Sequence, residues 1–406
     1  MSTATLLDEA VAAVGGAGVR EGAPADAVDG VVPAVVAAPG DADQASRLLA
    51  MASRDRCAVL VRGAGSKLAW GTPIERLDVL IDTTRLTAVY AHEAGDLLLR
   101  ASAGWSLAAI RERLAGSGQR LALDPAGEGA TLGGVYATAD SGPLRLRYGT
   151  PRDLVIGVTA VLADGTVAKA GGRVVKNVAG YDLTKLYCGS FGTLGLVTEL
   201  VVRLHPAAAE AVTLRLEADA GRLAALAADV ATLGSALPVA FELEWAWQEE
   251  RPSCWLRLEG SGVALGSQVT ALSQVLGRYG TVSEGSSVRP TGRAALGDGA
   301  TGAVAAPDEP GARLRLSVPP SRLHAELAEL RHLAAMLGMR CSLAGRVANA
   351  VVEAACEGSD EAIAELVERT RRRLRDGAAG GASGSARHGS LVVLGGSPAL
   401  RRRVEA

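Results

Sequence analysis

Glycine placement constrains this chain more than any other feature. The stretch 171–197, GGRVVKNVAGYDLTKLYCGSFGTLGLV, holds six glycines (171, 172, 180, 189, 192 and 195) among segments rich in Val, Leu, Thr and Tyr. Glycine in such company marks backbone that turns with positive φ, or backbone that another molecule approaches too closely for a Cβ. Two further clusters lie upstream, RGAGSK at 62–67 and ATLGG at 130–134. Each follows a strand-like run. Three such clusters predict several loops gathered around one extended ligand.

The segments between them alternate. Strands are expected at 31–38, 57–61 and 79–81, a hairpin pairs 89–91 with 97–101, and Asp164-Gly165 turns the hairpin 154–162/166–170. Helices are expected at 6–14, at 41–54 behind an Asp41 or Asp43 cap, and at 105–115, with a helical turn at 183–187. A strand over 194–204 ends at His205-Pro206, which sets a domain boundary near 207. The pattern then restarts. Strands are expected at 212–217, 240–246, 254–259, 313–318 and 346–356, and helices at 222–233, 265–279, 321–337 (capped by Ser321) and 360–375. The result is α+β throughout: an N-terminal extension at 1–30, a first domain at 31–207, a second at 208–375 with five or six strands under helices, and a flexible tail at 376–406. A Gly/Ala/Pro-rich insertion at 285–310 reads as a mobile loop.

At 406 residues the chain has room for two domains, and with aromatics at 3% their cores must be built from Val, Leu and Ala. A net charge of −2 gives no reason to expect nucleic acid or an anionic membrane. Five scattered cysteines (57, 188, 254, 341 and 356) make no Cys-x-x-Cys pair, so they signal neither a disulfide framework nor an iron–sulfur site and fit a reducing, cytosolic setting. The N-terminus MSTATLLDEA lacks the layout of a secretory leader, and no apolar run approaches the roughly 20 residues of a membrane span. The five histidines are isolated, which argues against a metal site.

The first loop is neither a Walker loop nor a Rossmann fingerprint, so a nicotinamide fold is poorly supported, and no Gly-x-Ser-x-Gly elbow occurs. What 62–67 offers is small residues whose N–H groups can turn inward around a pyrophosphate, with Arg62 or Lys67 adding charge; an ordinary tight turn is the alternative. At 130–134 adjacent glycines let a ring or phosphate lie on bare backbone, or else mark a bulged strand edge. Lys176, Asn177, Tyr181 and Asp182 either position a ligand or form a buried structural network.

In this order the segments RGAGSKLAWG, LDP, GATLGG, SGP, RYGTPRDLV, ADG and KNVAGYDLTKLYCGSFGTLGLVTEL resemble the FAD-binding domain of the vanillyl-alcohol oxidase/p-cresol methylhydroxylase (PCMH) superfamily, over roughly 30–207. Within it the chain more closely resembles the FAD-binding E subunits of bacterial glycolate oxidases, a likeness that RLEGSG (257–262) and RLRLSVPP (313–320) carry less distinctly into the second half. The resemblance implies a two-subdomain PCMH-type FAD-binding domain followed by an α+β cap domain. It implies FAD contacts at Arg62, Gly63, Ala64, Gly65, Ser66 and Lys67, at Asp124 and Pro125, and at Thr131, Leu132, Gly133, Gly134 and Ala137. Further contacts are implied at Ser141, Gly142, Tyr148, Gly149, Gly192, Leu196 and Val197. Ser66 stands where some relatives carry a flavin-linking histidine, so non-covalent FAD is expected. Substrate candidates are Lys176, Asn177, Tyr181, Arg257, Arg315 and Arg346, the arginines facing a carboxylate. A small 2-hydroxy acid, glycolate, would be oxidised to glyoxylate. A second flavoprotein subunit and an iron–sulfur subunit are the implied partners, and any membrane association would come through them. The histidine cluster that catalytic hydroxy-acid subunits carry in the cap is not seen in this sequence, and LRRRVEA stands where E subunits end in a segment like FDPxGxxNPGR.

Overall fold

Runs of small and β-branched residues pair into the first sheet. The computed structural model describes residues 2–125, 129–172, 181–234, 236–285, 311–376 and 389–405. Val35–Ala37, Val79–Asp82 and Val59–Arg62 lie side by side in parallel, and Val19–Glu21 adds an antiparallel edge on Val35–Ala37. Two helices cover this sheet. Ala42–Arg54 starts at Asp41, whose carboxylate accepts the Gln44 N–H at 2.8 Å, and buries Ala45, Leu48, Leu49 and Ala52. Thr3–Val14 buries Leu6, Ala10, Ala13 and Val14 in the same core. The N-terminal extension expected at 1–30 is therefore corrected. Its apolar stripe has nowhere else to go, and its strand pairs in register with Val35–Ala37.

A second, antiparallel sheet follows in the order Tyr90–Glu93, Leu98–Ser102, Leu196–Arg203, Val155–Val161, Val167–Gly171. The helices Leu107–Leu114 and Leu132–Thr138 share its core through Leu107, Ile110, Leu132, Val135 and Tyr136. These two sheets divide the first half of the chain into two subdomains.

Among the described residues the third sheet is wholly antiparallel and has eight strands, where five or six were expected. Its order is Val282–Gly285, Glu210–Glu217, Ser253–Gly260, Ala240–Trp245, Arg340–Arg346, Val351–Glu357, Gly311–Ser317, Ser390–Gly395. Two of the extra strands have clear causes. The run expected as one strand at 346–356 is half of a hairpin whose turn places Ala350 at φ +49°, and the expected flexible tail supplies Ser390–Gly395 and the helix Pro398–Glu405. Leu391 and Val393 bury their side chains in the core, which is why that part of the tail is ordered; the rest of the expected tail, 377–388, and most of the insertion at 285–310 lie outside the described residues. The helix expected from a Ser321 cap instead begins at Leu323, after the turn Pro320–Arg322 and without a side-chain cap.

Period-2 alternation gives this sheet two unlike faces. Leu256, Leu258, Phe241, Leu243, Leu343, Val352, Leu314 and Leu316 point to the helix-covered side. Their neighbours Trp255, Arg257, Glu259, Glu242, Arg346, Glu353 and Arg315 make the other face, and it is turned towards the first half of the chain. Among the described residues, no helix is long and apolar enough to cross a membrane.

Candidate cofactor and substrate site

The three glycine clusters do meet. A Cβ on Gly63 would lie 2.3 Å from Thr131 Oγ1, so the first loop rests directly on the second cluster. A Cβ on Gly192 (φ +76°) would touch the Val61 side chain at 4.0 Å, and the Phe191 N–H donates to the Ala137 carbonyl at 2.8 Å. That brings the third cluster against the other two.

The first loop leaves the strand Val59–Arg62 with Gly65 at φ +77°. Its charges are already engaged. Arg62 reaches Asp82 at 2.9 Å and Asp26 at 3.2 Å, while Lys67, nearly buried, lies 3.2 Å from Asp140. The hydrogen bond from Arg20 holds the Asp26 carboxyl well below the usual carboxylate range, against the opposing effect of burial. Arg62 and Lys67, expected to add charge to a phosphate, each face a protein carboxylate here. What the loop leaves open is main chain. The amides of Ala64, Gly65 and Ser66 donate to no acceptor among the described residues, in a half-buried segment. Successive N–H groups around a left-handed glycine form an anion-binding concavity, and its donor set suits a pyrophosphate.

The second cluster works differently. Residues 132–134 begin the helix Leu132–Thr138, and their amides are taken: Leu132 donates to Trp105 O, Gly133 to Ala103 O, and Gly134 to the Thr131 hydroxyl. These glycines serve close packing, since a Cβ on Gly133 would lie 2.7 Å from Ala103 Cβ. Neither a bulged strand edge nor a set of open amides is found there. Leu196 and Val197 bury their side chains in the cores, and their backbone pairs with Val161 and Ala160.

Next to this cradle, Gly142 packs onto Asp124 so closely that a Cβ would sit 1.8 Å from its carbonyl oxygen. The Asp124 carboxylate accepts the Leu144 N–H at 2.9 Å; loss of water pushes its pKa up to about 7 against that hydrogen bond. Pro125 is buried beside it, and Ser141 accepts from Arg145 at 3.2 Å.

The enclosed face of the third sheet brings carboxylates and arginines to the same region. Arg315 pairs with Glu353 at 2.8 Å, lies 3.8 Å from Asp140, and stacks its guanidinium 4.8 Å from the Trp70 ring centre. Arg346 stands opposite Glu242 in the ladder, with its Nε and Glu242 Oε1 both buried and without hydrogen-bond partners among the described residues. Burial pushes the Glu242 carboxyl up to about 8, Arg346 opposes this, and Asp124, Glu353 and Glu244 add to it. Burial, reinforced by the charges of Arg346 and Arg315, lowers the Arg145 pKa. Three arginines therefore share one enclosed region with a carboxyl that keeps its proton at neutral pH.

The remaining candidates separate from this group. Tyr148 and Arg257 belong to a second cluster centred on Glu259, which accepts from Arg257 at 2.9 Å, from the Tyr148 hydroxyl at 2.9 Å and from Arg120 at 3.0 Å. This cluster ties the two halves together. Gly149, at φ +89°, ends the turn Arg145–Tyr148, and a Cβ there would meet Asp153 at 2.8 Å. Tyr181 is 96% exposed, and Lys176 and Asn177 lie outside the described residues. Sequence reasoning missed Asp140, Arg145, Glu242, Glu259 and Glu353. The strand AFELEW at 240–245 does signal a polar face at Glu242 and Glu244, but not that the face is enclosed.

Comparison with known proteins bears on these features. A family model described as an FAD binding domain matches residues 33–171. The chain is 36% identical over 174 residues (43% of its length) to the mitochondrial D-lactate dehydrogenase (cytochrome) of Arabidopsis thaliana. It is 35% identical over 176 residues (43%) to glycolate oxidase subunit GlcD of Bacillus subtilis, and 35% over 167 residues (40%) to subunit GlcE of Escherichia coli. Those alignments cover 30%, 37% and 47% of the relatives, so the chain spans less than half the length of the curated relatives it matches. Among solved structures, p-cresol methylhydroxylase with substrate bound superposes over 99% of this chain and 90% of its own, with a TM-score of 0.72 and 12% identity. The 4-ethylphenol oxidase of Gulosibacter chungangensis covers 98% and 89%, with a TM-score of 0.70 and 14% identity.

Proposed function

We propose that this chain, whose residues 33–171 are an FAD-binding domain, is the FAD subunit of a 2-hydroxy-acid dehydrogenase complex that oxidises glycolate to glyoxylate and passes electrons to an iron–sulfur partner beside a second flavoprotein subunit. One observation carries this reading: an amide-lined loop lies under a sheet face that brings Arg315 and Arg346 together with Arg145.

When bound, FAD supplies the acceptor for a hydride equivalent. The open amides of Ala64, Gly65 and Ser66 would hold its pyrophosphate, while Gly63 lets the loop rest on Thr131 and Gly133 lets the neighbouring helix pack on Ala103. Ser66 stands where a linking histidine would be needed, so attachment is non-covalent. Arg346 orients the substrate carboxylate, and Arg145 adds charge to the same region. Glu242 keeps its proton beside Arg346, which limits repulsion when an anionic substrate enters.

A second reading, a flavin-holding subunit without turnover of its own, is favoured by the pairing of Arg257 and Arg315 with Glu259 and Glu353. Anaerobic mixing of the purified chain with glycolate separates the two. Bleaching of the flavin band is the outcome expected of a catalytic chain. Bleaching that needs added partner subunits would overturn that role in favour of the holding role.

A further inference from the structure

We propose that Arg401, in the C-terminal helix, is a positioning residue for the dinucleotide loop, so that FAD affinity depends on the docking of the last segment of the chain. The inference rests on the assignment of FAD to the cradle around residues 63–66.

The helix Pro398–Glu405 belongs to the second half. Leu400 is buried in that half's core, the Ser397 hydroxyl bonds Asp360 and accepts the Leu400 N–H, and Arg371 reaches Glu405 at 2.8 Å. From this anchored helix Arg401 crosses to the first half. Its side chain is 2% exposed; Nη1 donates to the carbonyls of Ala69 and Gly71 at 3.0 and 3.2 Å, and Nη2 pairs with Asp29. Asp29 in turn accepts the Ile74 N–H at 3.2 Å. The segment leaving the cradle is thus held at 69, 71 and 74 through one buried ion pair and at Lys67 by Asp140, while Arg62, on Asp26 and Asp82, fixes the entering side. The Leu68 N–H donates to the Gly65 carbonyl at 3.4 Å and the Trp70 N–H to the Lys67 carbonyl at 3.1 Å, whereas the amides of Ala64, Gly65 and Ser66 donate to no acceptor among the described residues. The guanidinium spreads its donors over a planar fork that meets two carbonyls through Nη1 and a carboxylate through Nη2, a geometry that one ammonium centre does not reproduce. A buried cation this far along the chain, aimed at main-chain oxygens of the loop, has a geometric consequence for that loop beyond stability.

The test uses the full chain with FAD removed. Arg401→Met should weaken FAD binding about tenfold or more, the loss of one or two charge-assisted hydrogen bonds, and should also lower the melting temperature by stranding Asp29. Asp29→Asn combined with Arg401→Met removes the stranded charge. The expected result is a recovered melting temperature with FAD affinity still weak and with faster hydrogen exchange at the amides of 64–66. Arg401→Lys keeps a cation beside Asp29 but not the fork, and should melt between the wild type and Arg401→Met while binding FAD with intermediate affinity, so it carries the test if Arg401→Met does not fold. FAD affinity that returns with stability in the double variant, or that stays at the wild-type value in Arg401→Lys, would overturn the proposal.

Discussion

Gly63→Val is expected to purify without flavin and to bind added FAD at least about 100-fold more weakly than the wild type. The first atom of any side chain at 63 would sit 2.3 Å from the Thr131 hydroxyl. Thr131 has no room to yield, because it is buried, β-branched and fixed as the cap of the helix Leu132–Thr138. The loop must therefore lift. Doing so removes two or three amides from an anionic partner, each worth roughly 1.5–3 kcal/mol, and about 3 kcal/mol already exceeds a hundredfold. The fold should persist, since overpacking of this kind costs about 1–3 kcal/mol. Fluorescence titration of the deflavinated variant, alongside circular dichroism, measures both. A variant that binds FAD like the wild type would remove the first loop from the cofactor site.

Glu259→Ala is expected to cost roughly 3–5 kcal/mol, the usual result of removing one partner of a buried ionic group. Arg120 and Arg257 would lose their shared acceptor, and the Tyr148 hydroxyl would lose its partner at 2.9 Å. The contacts from Arg120 and Tyr148 span the two halves, so loss of the carboxylate should separate their melting transitions in calorimetry. The pH dependence has a definite sign. Burial pushes the Glu259 carboxyl up, but hydrogen bonds and charge from Arg120, with Tyr148 and Arg257, outweigh this and hold it below its ordinary value. Its contribution is therefore fully present above the ordinary glutamate range and is lost as pH falls through the lower value in the folded chain. The wild type should lose stability on acidification over that interval, and Glu259→Ala should lose less. Equal acid sensitivity in the two proteins would show that the cluster does not link the halves.

Local chemistry made much of this legible. Val59–Arg62 and Val79–Asp82 announce themselves as short β-branched runs, Asp41 as a helix cap, and Asp164-Gly165 as a hairpin turn. Several glycines of the three clusters answer a local demand that is written in one residue, a positive φ at Gly65, Gly189 and Gly192 or a missing Cβ at Gly63 and Gly133. Their separate roles were not legible. Whether an amide is open depends on acceptors far along the chain, such as Trp105 O and Ala103 O for the second cluster. The same holds for charge. Arg62, Lys67 and Arg257 look alike in sequence, and only the fold supplies Asp82, Asp140 and Glu259 as their partners. The tail was misread for a related reason. Its SLVVLG run is short and follows a Gly/Ser-rich segment, and its place beside Gly311–Ser317 is a long-range pairing that no local pattern encodes.

The most direct measurement is a titration of the full, cofactor-free chain with FAD, followed by acid precipitation. Saturation is expected at one FAD per chain, with all the flavin left in the acid supernatant. A folded chain that stays colourless, or flavin that remains with the precipitated protein, would contradict it.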